Sequence, residues 1–372
     1  MEPRGNSDQA AGMRARKDAN VQPVCEGPLA IAVGRDEFGW HEVFSEALLA
    51  RQSAGYRLRF DVVDIGSDSW VDHVRDRDLV IWKPAYMGPR SASHFKEKIY
   101  FMEQYLGLLV VPSFRTIWHF ESKVAQAYLL RERSVPTPRT VVSFTPSDAL
   151  RQLDAASLPL VFKASHGASS SNVRMVNSAS DARRLIDKVF CAENWREYRA
   201  QRTSGIRALL TLPRRRWFWS KVRQKLSHDE FFNVVYWQEF VRGNDADLRI
   251  TVIGDRYAVG FWRRNRPGDF RASGSGLLDY ETPIPEDAVG YCMALNRQFG
   301  FDSMAYDLLF ESEDFVVVEM SYAYNDKAVF GAPGHYTLGD DDSLLYEAGH
   351  VMPQELWVDC ALRKAAARRN RR

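Results

Sequence analysis

The sequence predicts a mixed α/β protein of several lobes that opens with a parallel α/β unit. Three observations lead there. The chain has 372 residues, more than one ordinary hydrophobic core encloses. Short apolar runs alternate with helix-period segments between residues 28 and 115, the pattern of a parallel sheet with crossover helices. From Val234 onward strand-like runs dominate instead, so a second, sheet-rich part follows.

Leu29–Val33 is apolar and ends at Gly34, which reads as a buried strand feeding a loop. Val43, Phe44, Ala47, Leu48 and Leu49 recur at helical spacing. Residues 60–64, 78–82 and 107–112 supply three further strands. A helix at 121–131, a Pro-containing breaker at 134–138 and a strand at 139–144 follow. The next helix begins at Pro146, with Ser147 or Asp148 placed to cap it. Strands are expected at 158–163, 173–176, 234–240, 248–253, 256–262, 305–310 and 315–320, and helices at 181–190 and 285–299. The expected division is a flexible leader at 1–27, an N-terminal α/β substrate domain at 28–115, a small lobe at 116–237 with a basic insertion at 195–230, a C-terminal lobe at 238–360 and a basic tail at 361–372.

Composition narrows the function classes. Hydrophobic residues are 45% and charged residues 26% of the chain, which argues against wholesale disorder. No apolar run approaches the roughly 20 residues of a membrane-spanning helix. The polar leader lacks the apolar segment of a secretory signal. Cys25, Cys191, Cys292 and Cys360 are widely spaced with no CxxC pair, so reduced, mostly buried thiols and a cytoplasmic location are expected rather than a zinc site or disulfides. A net charge of +2 gives no global case for nucleic acid, and no specific nucleic-acid partner is expected.

Three groups of residues carry chemistry. Lys163 ends a strand and is followed by the small-residue segment His166-Gly167-Ala-Ser169-Ser170-Ser171. A lysine there reaches phosphate oxygens while the loop's N–H groups approach them, although a structural lysine beside a Ser-rich hairpin would look alike. Gln238-Glu239-Phe240-Val241 ends a strand and precedes Asp247 and Arg249. Main-chain groups there suit adenine and an acid suits ribose, the alternative being an exposed turn between strands. Asp307 and Glu319 lie inside apolar strands, where an unpaired carboxylate is costly. Mg²⁺ with substrate phosphates would satisfy them, and so would pairing with Arg263 or Arg271. The turns at Gly34-Arg35-Asp36 and Trp82-Lys83-Pro84 stand where open α/β sheets bind ligands, or are ordinary turns.

The ordered set Gln238-Glu-Phe-Val-Arg-Gly243, Asp247-Leu-Arg249, Val252-Ile-Gly254, Arg263, Gly268-Asp-Phe-Arg271, Asp307 and Glu319 resembles the ATP-grasp superfamily, within it the branch of ribosomal-protein glutamate ligases and glutathione synthetases. The resemblance spans roughly residues 118–325. It implies an ATP-grasp fold preceded by a parallel α/β domain, and an ADP-forming ligase that joins a carboxylate to an amine through an acyl phosphate. A phosphotransferase on the same fold is the alternative, and a non-enzymatic RNA- or membrane-binding protein stands behind both. By this likeness Lys123, Lys163, Gly167, Ser169, Ser170, Gln238, Glu239, Phe240, Val241 and Asp247 would bind ATP. Arg249, Arg263 and Arg271 would stabilise the transferred phosphoryl group. Asp307, Glu319, Ser321 and Asn325 would hold Mg²⁺, with Mn²⁺ as a substitute. Ser321 and Ser273 stand where the family usually has Asn. Substrates would be small-molecule or peptide carboxylates and amines. The insertion has ten Lys/Arg and one acid between Arg196 and Lys225, and Arg214-Arg-Arg-Trp-Phe-Trp219 within it suits an acidic or phosphorylated substrate, a lipid-linked precursor in peripheral contact at a membrane surface, RNA, or a solvated helix with inward Trp.

Overall fold

The computed structural model describes residues 27–84, 89–163, 173–190, 234–311 and 314–371. The first sheet is parallel, in the order β2-β1-β3-β4, from β1 (Leu29–Gly34), β2 (Leu58–Val63), β3 (Leu79–Ile81) and β4 (Leu109–Val111). Helices α1 (Trp40–Ser53), α2 (Trp70–Val74) and α3 (Pro89–Gln104) connect these strands. All six residues of β1 are buried, as a central parallel strand covered on both faces requires. Its last residue must be glycine, because a Cβ on Gly34 would lie 2.3 Å from the Trp82 ring.

Helices α4 (Phe114–Ile117) and α5 (Lys123–Glu132) lead to an antiparallel sheet in the order β5-β8-β6-β7. It comprises β5 (Thr140–Ser143), β6 (Leu160–Lys163), β7 (Val173–Val176) and β8 (Val235–Glu239). Its companions α6 (Pro146–Asp154) and α7 (Ala179–Phe190) bury Leu153, Ala182 and Ile186 against Val141, Phe162 and Trp237. The cap of α6 is the Thr145 hydroxyl, which accepts from the Asp148 N–H, rather than Ser147 or Asp148. With Pro146 at the first helical position, the residue before it is the natural cap.

The third sheet runs β13-β12-β9-β10-β14-β15, with β11 (Leu278–Asp279) added to β10. Its strands are β9 (Ala246–Ile253), β10 (Tyr257–Arg264), β12 (Ser303–Glu311), β13 (Asp314–Ser321), β14 (Gly334–Leu338) and β15 (Leu344–Ala348). Helices α8 (Glu286–Phe299), α9 (Asp326–Phe330) and α10 (Pro353–Arg369) accompany it. One apolar core joins the first and third sheets, while the middle sheet has a smaller core of its own. The stretch expected as a basic tail from 361 is the second half of α10, which docks on the first sheet: Arg369 pairs with Asp78 at 2.5 Å and Arg368 donates to the Gly107 carbonyl. Among the described residues no helix is long and apolar enough to cross a membrane. Cys292 and Cys360 are buried and unpaired, while Cys25, Cys191 and the leader lie outside the described residues.

Asp302 ties these parts together. Its buried carboxylate accepts from the Ser113 N–H at 2.6 Å and from the hydroxyls of Ser113 and Thr116 at 2.5 and 2.8 Å, and it pairs with Lys364 of α10. Asp302→Ala strands these donors and is expected to cost about 2–4 kcal/mol. Lys364→Met keeps those donors but leaves the buried carboxylate without its cation, and should cost less than Asp302→Ala, about 1–2 kcal/mol. Denaturant midpoints of the two variants test the ranking.

Candidate active site

Strand pairing assembles a row of charge on the third sheet. Register places Glu319 opposite Asp307, Asp307 opposite Arg249 and Asp247 opposite Arg263. Alternation along each strand then puts Asp247, Arg249, Arg263, Asp307 and Glu319 on one face. Arg249 donates to both oxygens of Asp307 at 2.7 and 2.8 Å. Arg263 donates to both oxygens of Asp247 at 2.6 and 2.5 Å, and its Nη2 lies 2.7 Å from Asp307. Lys123, at the start of α5, reaches Glu319 at 3.5 Å. A bulge follows immediately: Leu308 pairs with Val317, which leaves Val318 as the extra residue beside Glu319. Bulges re-aim neighbouring side chains.

Three carboxylates thus meet three cations. Burial opposes the charge on Asp307, but the adjacent Arg249 and Arg263 outweigh it and hold the carboxyl well below the usual range. For Asp247 burial is the largest influence, and with repulsion from Asp307 it overcomes Arg263, pushing the carboxyl up to about 6. Burial also opposes ionisation of Glu319, and Lys123 is the main counterweight that keeps it lowered.

The middle sheet supplies the facing wall. Trp237 turns into the small core, so its neighbours Tyr236 and Gln238 turn the other way, together with Lys163 and Thr140 in adjacent strands. Gln238 accepts from Lys163 Nζ and donates to the Thr140 hydroxyl at 3.0 Å. Burial pushes the Lys163 ammonium down to about 8, against attraction from Glu319 and with repulsion from Lys123. Lys163 therefore senses the carboxylate row, and a bond from the Val317 N–H to the Pro136 carbonyl at 2.8 Å ties the walls together. Thr140 and Tyr236 were missed by sequence reasoning. Period-two alternation outward from buried Trp237 would have found Tyr236, whereas Thr140 lies in another strand, 98 positions from its partner Gln238.

Other sequence-predicted residues are placed differently. Gln238 and Glu239, expected to open the C-terminal lobe, end β8 of the middle sheet. Glu239 accepts from the Ser157 N–H at 2.8 Å and pairs with Arg139 at 3.2 Å. The Phe240 N–H donates to the Pro159 carbonyl, its ring meets Phe270 at 5.9 Å, and Val241 is buried. Arg271 pairs with Asp269 at 2.7 Å, not with Asp307. Ser321 accepts from the Ala323 N–H at 3.2 Å. The Asn325 side chain caps α9, accepting from the N–H groups of Lys327 and Ala328, a job the sequence reading did not foresee. Gly167, Ser169, Ser170, His166 and the insertion 195–230 lie outside the described residues.

Among the described residues no three or more His, Cys, Asp or Glu side chains gather as a cation cage. One or two protein carboxylates suffice for Mg²⁺ when phosphates complete its shell, and Asp307 and Glu319 are two adjacent carboxylates, although both Asp307 oxygens are held by Arg249 and Arg263.

No family model matches the chain. It is 26% identical over 255 residues to an α-aminoadipate–LysW ligase, LysX, of Saccharolobus solfataricus, covering 68% of this chain and 76% of that one. Among solved structures it resembles a RimK domain ATP-grasp protein from Sphaerobacter thermophilus, with a TM-score of 0.52 and 14% identity over 90% of this chain and 99% of the other. It also resembles the ATP-grasp ligase PsnB, solved with its precursor peptide PsnA2 and AMPPNP, with a TM-score of 0.50 and 15% identity over 94% and 100% of the two chains. The fold expected from the sequence is borne out.

The Lys163 geometry yields a test. An unfolded-state lysine keeps its proton to about pH 10.4, whereas folding lowers Lys163 to about 8. Between those values the unfolded chain binds more protons, so this group's contribution to stability rises with pH. Lys163→Met should abolish that rise and raise the melting temperature of the nucleotide-free protein at pH 7. The same change should weaken AMPPNP–Mg²⁺ by about 1.5–3 kcal/mol, roughly 10- to 150-fold. Melting curves at pH 7 and 9.5, with and without nucleotide, read both effects.

Proposed function

We propose that this chain, whose fold is that of the ATP-grasp superfamily, is an ATP-dependent ligase that joins a carboxylate to an amine and releases ADP and phosphate. The observation that carries the proposal is the pair of facing walls: Lys163 and Gln238 on the middle sheet, and Glu319, Asp307, Arg249 and Arg263 on the third.

ATP lies between the walls in this reading. The main chain of residues 238–241 meets adenine, and Lys123, Lys163 and the loop containing Gly167, Ser169 and Ser170 meet the phosphates. Gln238 orients Lys163 through its side-chain hydrogen bond. Asp307 and Glu319, with the Ser321 hydroxyl, would hold Mg²⁺ or Mn²⁺, which would supply positive charge to offset the phosphates. Arg249 and Arg263 are fixed by their carboxylate partners and stabilise charge on the transferred group without reorganising. Arg271 contributes from the loop after β10, where Asp269 orients it. Asp247 keeps Arg263 in place.

The chemistry divides into two displacements. A carboxylate oxygen of the substrate attacks the γ-phosphorus and the bond to ADP breaks, leaving an acyl phosphate. The amine nitrogen then attacks the acyl carbon, phosphate leaves, and the nitrogen gives up a proton. Positioning and charge neutralisation supply the rate enhancement. LysX is named as an aminoadipate–LysW ligase and PsnB binds a precursor peptide. Both support a carboxylate and an amine as substrates, small or peptidic.

The decisive assay supplies ATP–Mg²⁺, hydroxylamine and a panel of amino diacids and peptides. ADP release with hydroxamate formation is expected, and Glu319→Gln should reduce the rate by about 100-fold. A stable phosphorylated product without hydroxamate would replace the ligase with a phosphotransferase.

A further inference from the structure

A glutamine amide is nearly symmetrical in outline and opposite in chemistry at its two ends: an oxygen that accepts and a nitrogen that donates. Turned one way, Gln238 presents its oxygen to Lys163. Turned the other way, it sets an N–H against an ammonium. The groups around Gln238 in the middle sheet decide between the two.

Four groups stand in single file. Lys163 Nζ donates to Gln238 Oε1, Gln238 Nε2 donates to the Thr140 hydroxyl at 3.0 Å, and that hydroxyl donates to the Pro138 carbonyl at 2.7 Å. The far end admits one direction only. A carbonyl has lone pairs and no proton, so Pro138 can only accept, and Thr140 gives it its one hydroxyl proton. The Thr140 oxygen is left as an acceptor, which turns Nε2 of Gln238 toward Thr140 and Oε1 toward Lys163. At 4% exposure Gln238 depends on protein partners at both ends.

Lys163 alone would not set this direction. As an ammonium it only donates, but as a free amine it has a lone pair that can accept from Nε2. Burial pushes Lys163 down to about 8, with Glu319 and Asp307 attracting its charge and Lys123 repelling it, so the amine is within reach near neutrality. An amide held with its oxygen toward the lysine favours the ammonium. Gln238 suits this task because it is neutral. A carboxylate in its place would pair with the lysine and compete with the phosphates.

Strand register brings the file together and ties down its end. Thr140 stands directly opposite Gln238 in the β5–β8 ladder. Gln238 stands opposite Val161 in the β8–β6 ladder, and Lys163 lies two residues further along β6, on the same face. Arg139, next to Pro138, accepts from the Glu239 N–H at 3.0 Å, and Pro136 accepts from the Val317 N–H at 2.8 Å. Val317 precedes Glu319 by two residues in β13. The file thus starts at the lysine of one wall and ends on a segment bonded to the carboxylate strand of the other.

We propose that Thr140 is a positioning residue of the active site: its hydroxyl, by donating to Pro138, fixes the direction of the Gln238 amide and so holds the Lys163 ammonium where the nucleotide phosphates meet it. The proposal rests on the nucleotide-binding reading and deepens it, since Thr140 acts through Gln238 rather than on a ligand.

Competitive labelling of the nucleotide-free full chain with trace acetic anhydride at pH 7, mapped by mass spectrometry, reads the free amine of Lys163 directly. Thr140→Val is expected to raise Lys163 labelling by about threefold or more and to weaken AMPPNP–Mg²⁺ binding about five- to tenfold. Thr140→Ser keeps the hydroxyl and should leave both readouts within about twofold of the parent chain. In a Gln238→Met background, Thr140→Val should add nothing further to either, because the two residues act as one unit. Thr140→Ala takes the place of the valine variant if circular dichroism shows that the latter does not fold. The proposal is overturned if the valine variant labels like the parent, if the serine variant labels like the valine variant, or if Thr140→Val has its full effect on top of Gln238→Met. Failure of AMPPNP–Mg²⁺ to protect Lys163 in the parent chain counts against the nucleotide reading instead, and the labelling of the free chain still decides on Thr140.

Discussion

The row Lys123–Glu319–Asp307–Arg249, closed by Arg263–Asp247, is the constraint on which the rest of the structure depends. Carboxylate and guanidinium groups buried at this depth are costly unless each has a partner of opposite sign. Six groups on five elements satisfy one another, which fixes the register of β9, β10, β12 and β13 together. Sliding any of these strands by one residue would turn its charged side chain to the opposite face. The row is also neutral as a set. A phosphate chain and a divalent cation bring charges of both signs, so each buried group can exchange one partner for another of the same sign without being stranded.

The middle sheet relates to that row in a different way. It has a separate core around Trp237, and it contributes Lys163, whose ammonium is lowered by burial while the carboxylates opposite pull it upward. One wall is internally balanced and the other is deficient in partners. A ligand that carries negative charge between them gains most from the deficient wall, while the balanced wall holds its shape.

Much of this was legible from sequence. Alternating strand and helix periods gave the first sheet, because a parallel sheet covered on both faces forces continuous apolar runs such as Leu29–Val33. Asp307 and Glu319 stood out because carboxylates in apolar strands need a reason to be there. Their partners were harder. Arg249 and Arg263 rather than Arg271 meet Asp307, and that choice depends on a strand pairing between residues 58 positions apart, which no local pattern encodes. Caps were ambiguous for a similar reason: Thr145, Ser147 and Asp148 are all competent, and Pro146 decides among them. Asn325 read as a metal ligand because its oxygen is suitable for either task, and the start of α9 claims it. Strand β15 escaped notice because most of its side chains are exposed, so it shows no buried periodicity.

The docking of α10 has a consequence for how the molecule is made. Trp357 packs against Trp40 and Phe44 of α1, and Asp359 pairs with Arg51 at 2.6 Å. One face of α1, near the beginning of the described chain, is therefore covered by a helix some 300 residues later. During synthesis at about 5–20 residues per second, the first sheet can form early, yet that aromatic face waits on the order of tens of seconds for its cover. Through this interval the nascent chain exposes tryptophan and phenylalanine side chains to water, which makes the lobe of the first sheet a substrate for chaperones until α10 arrives.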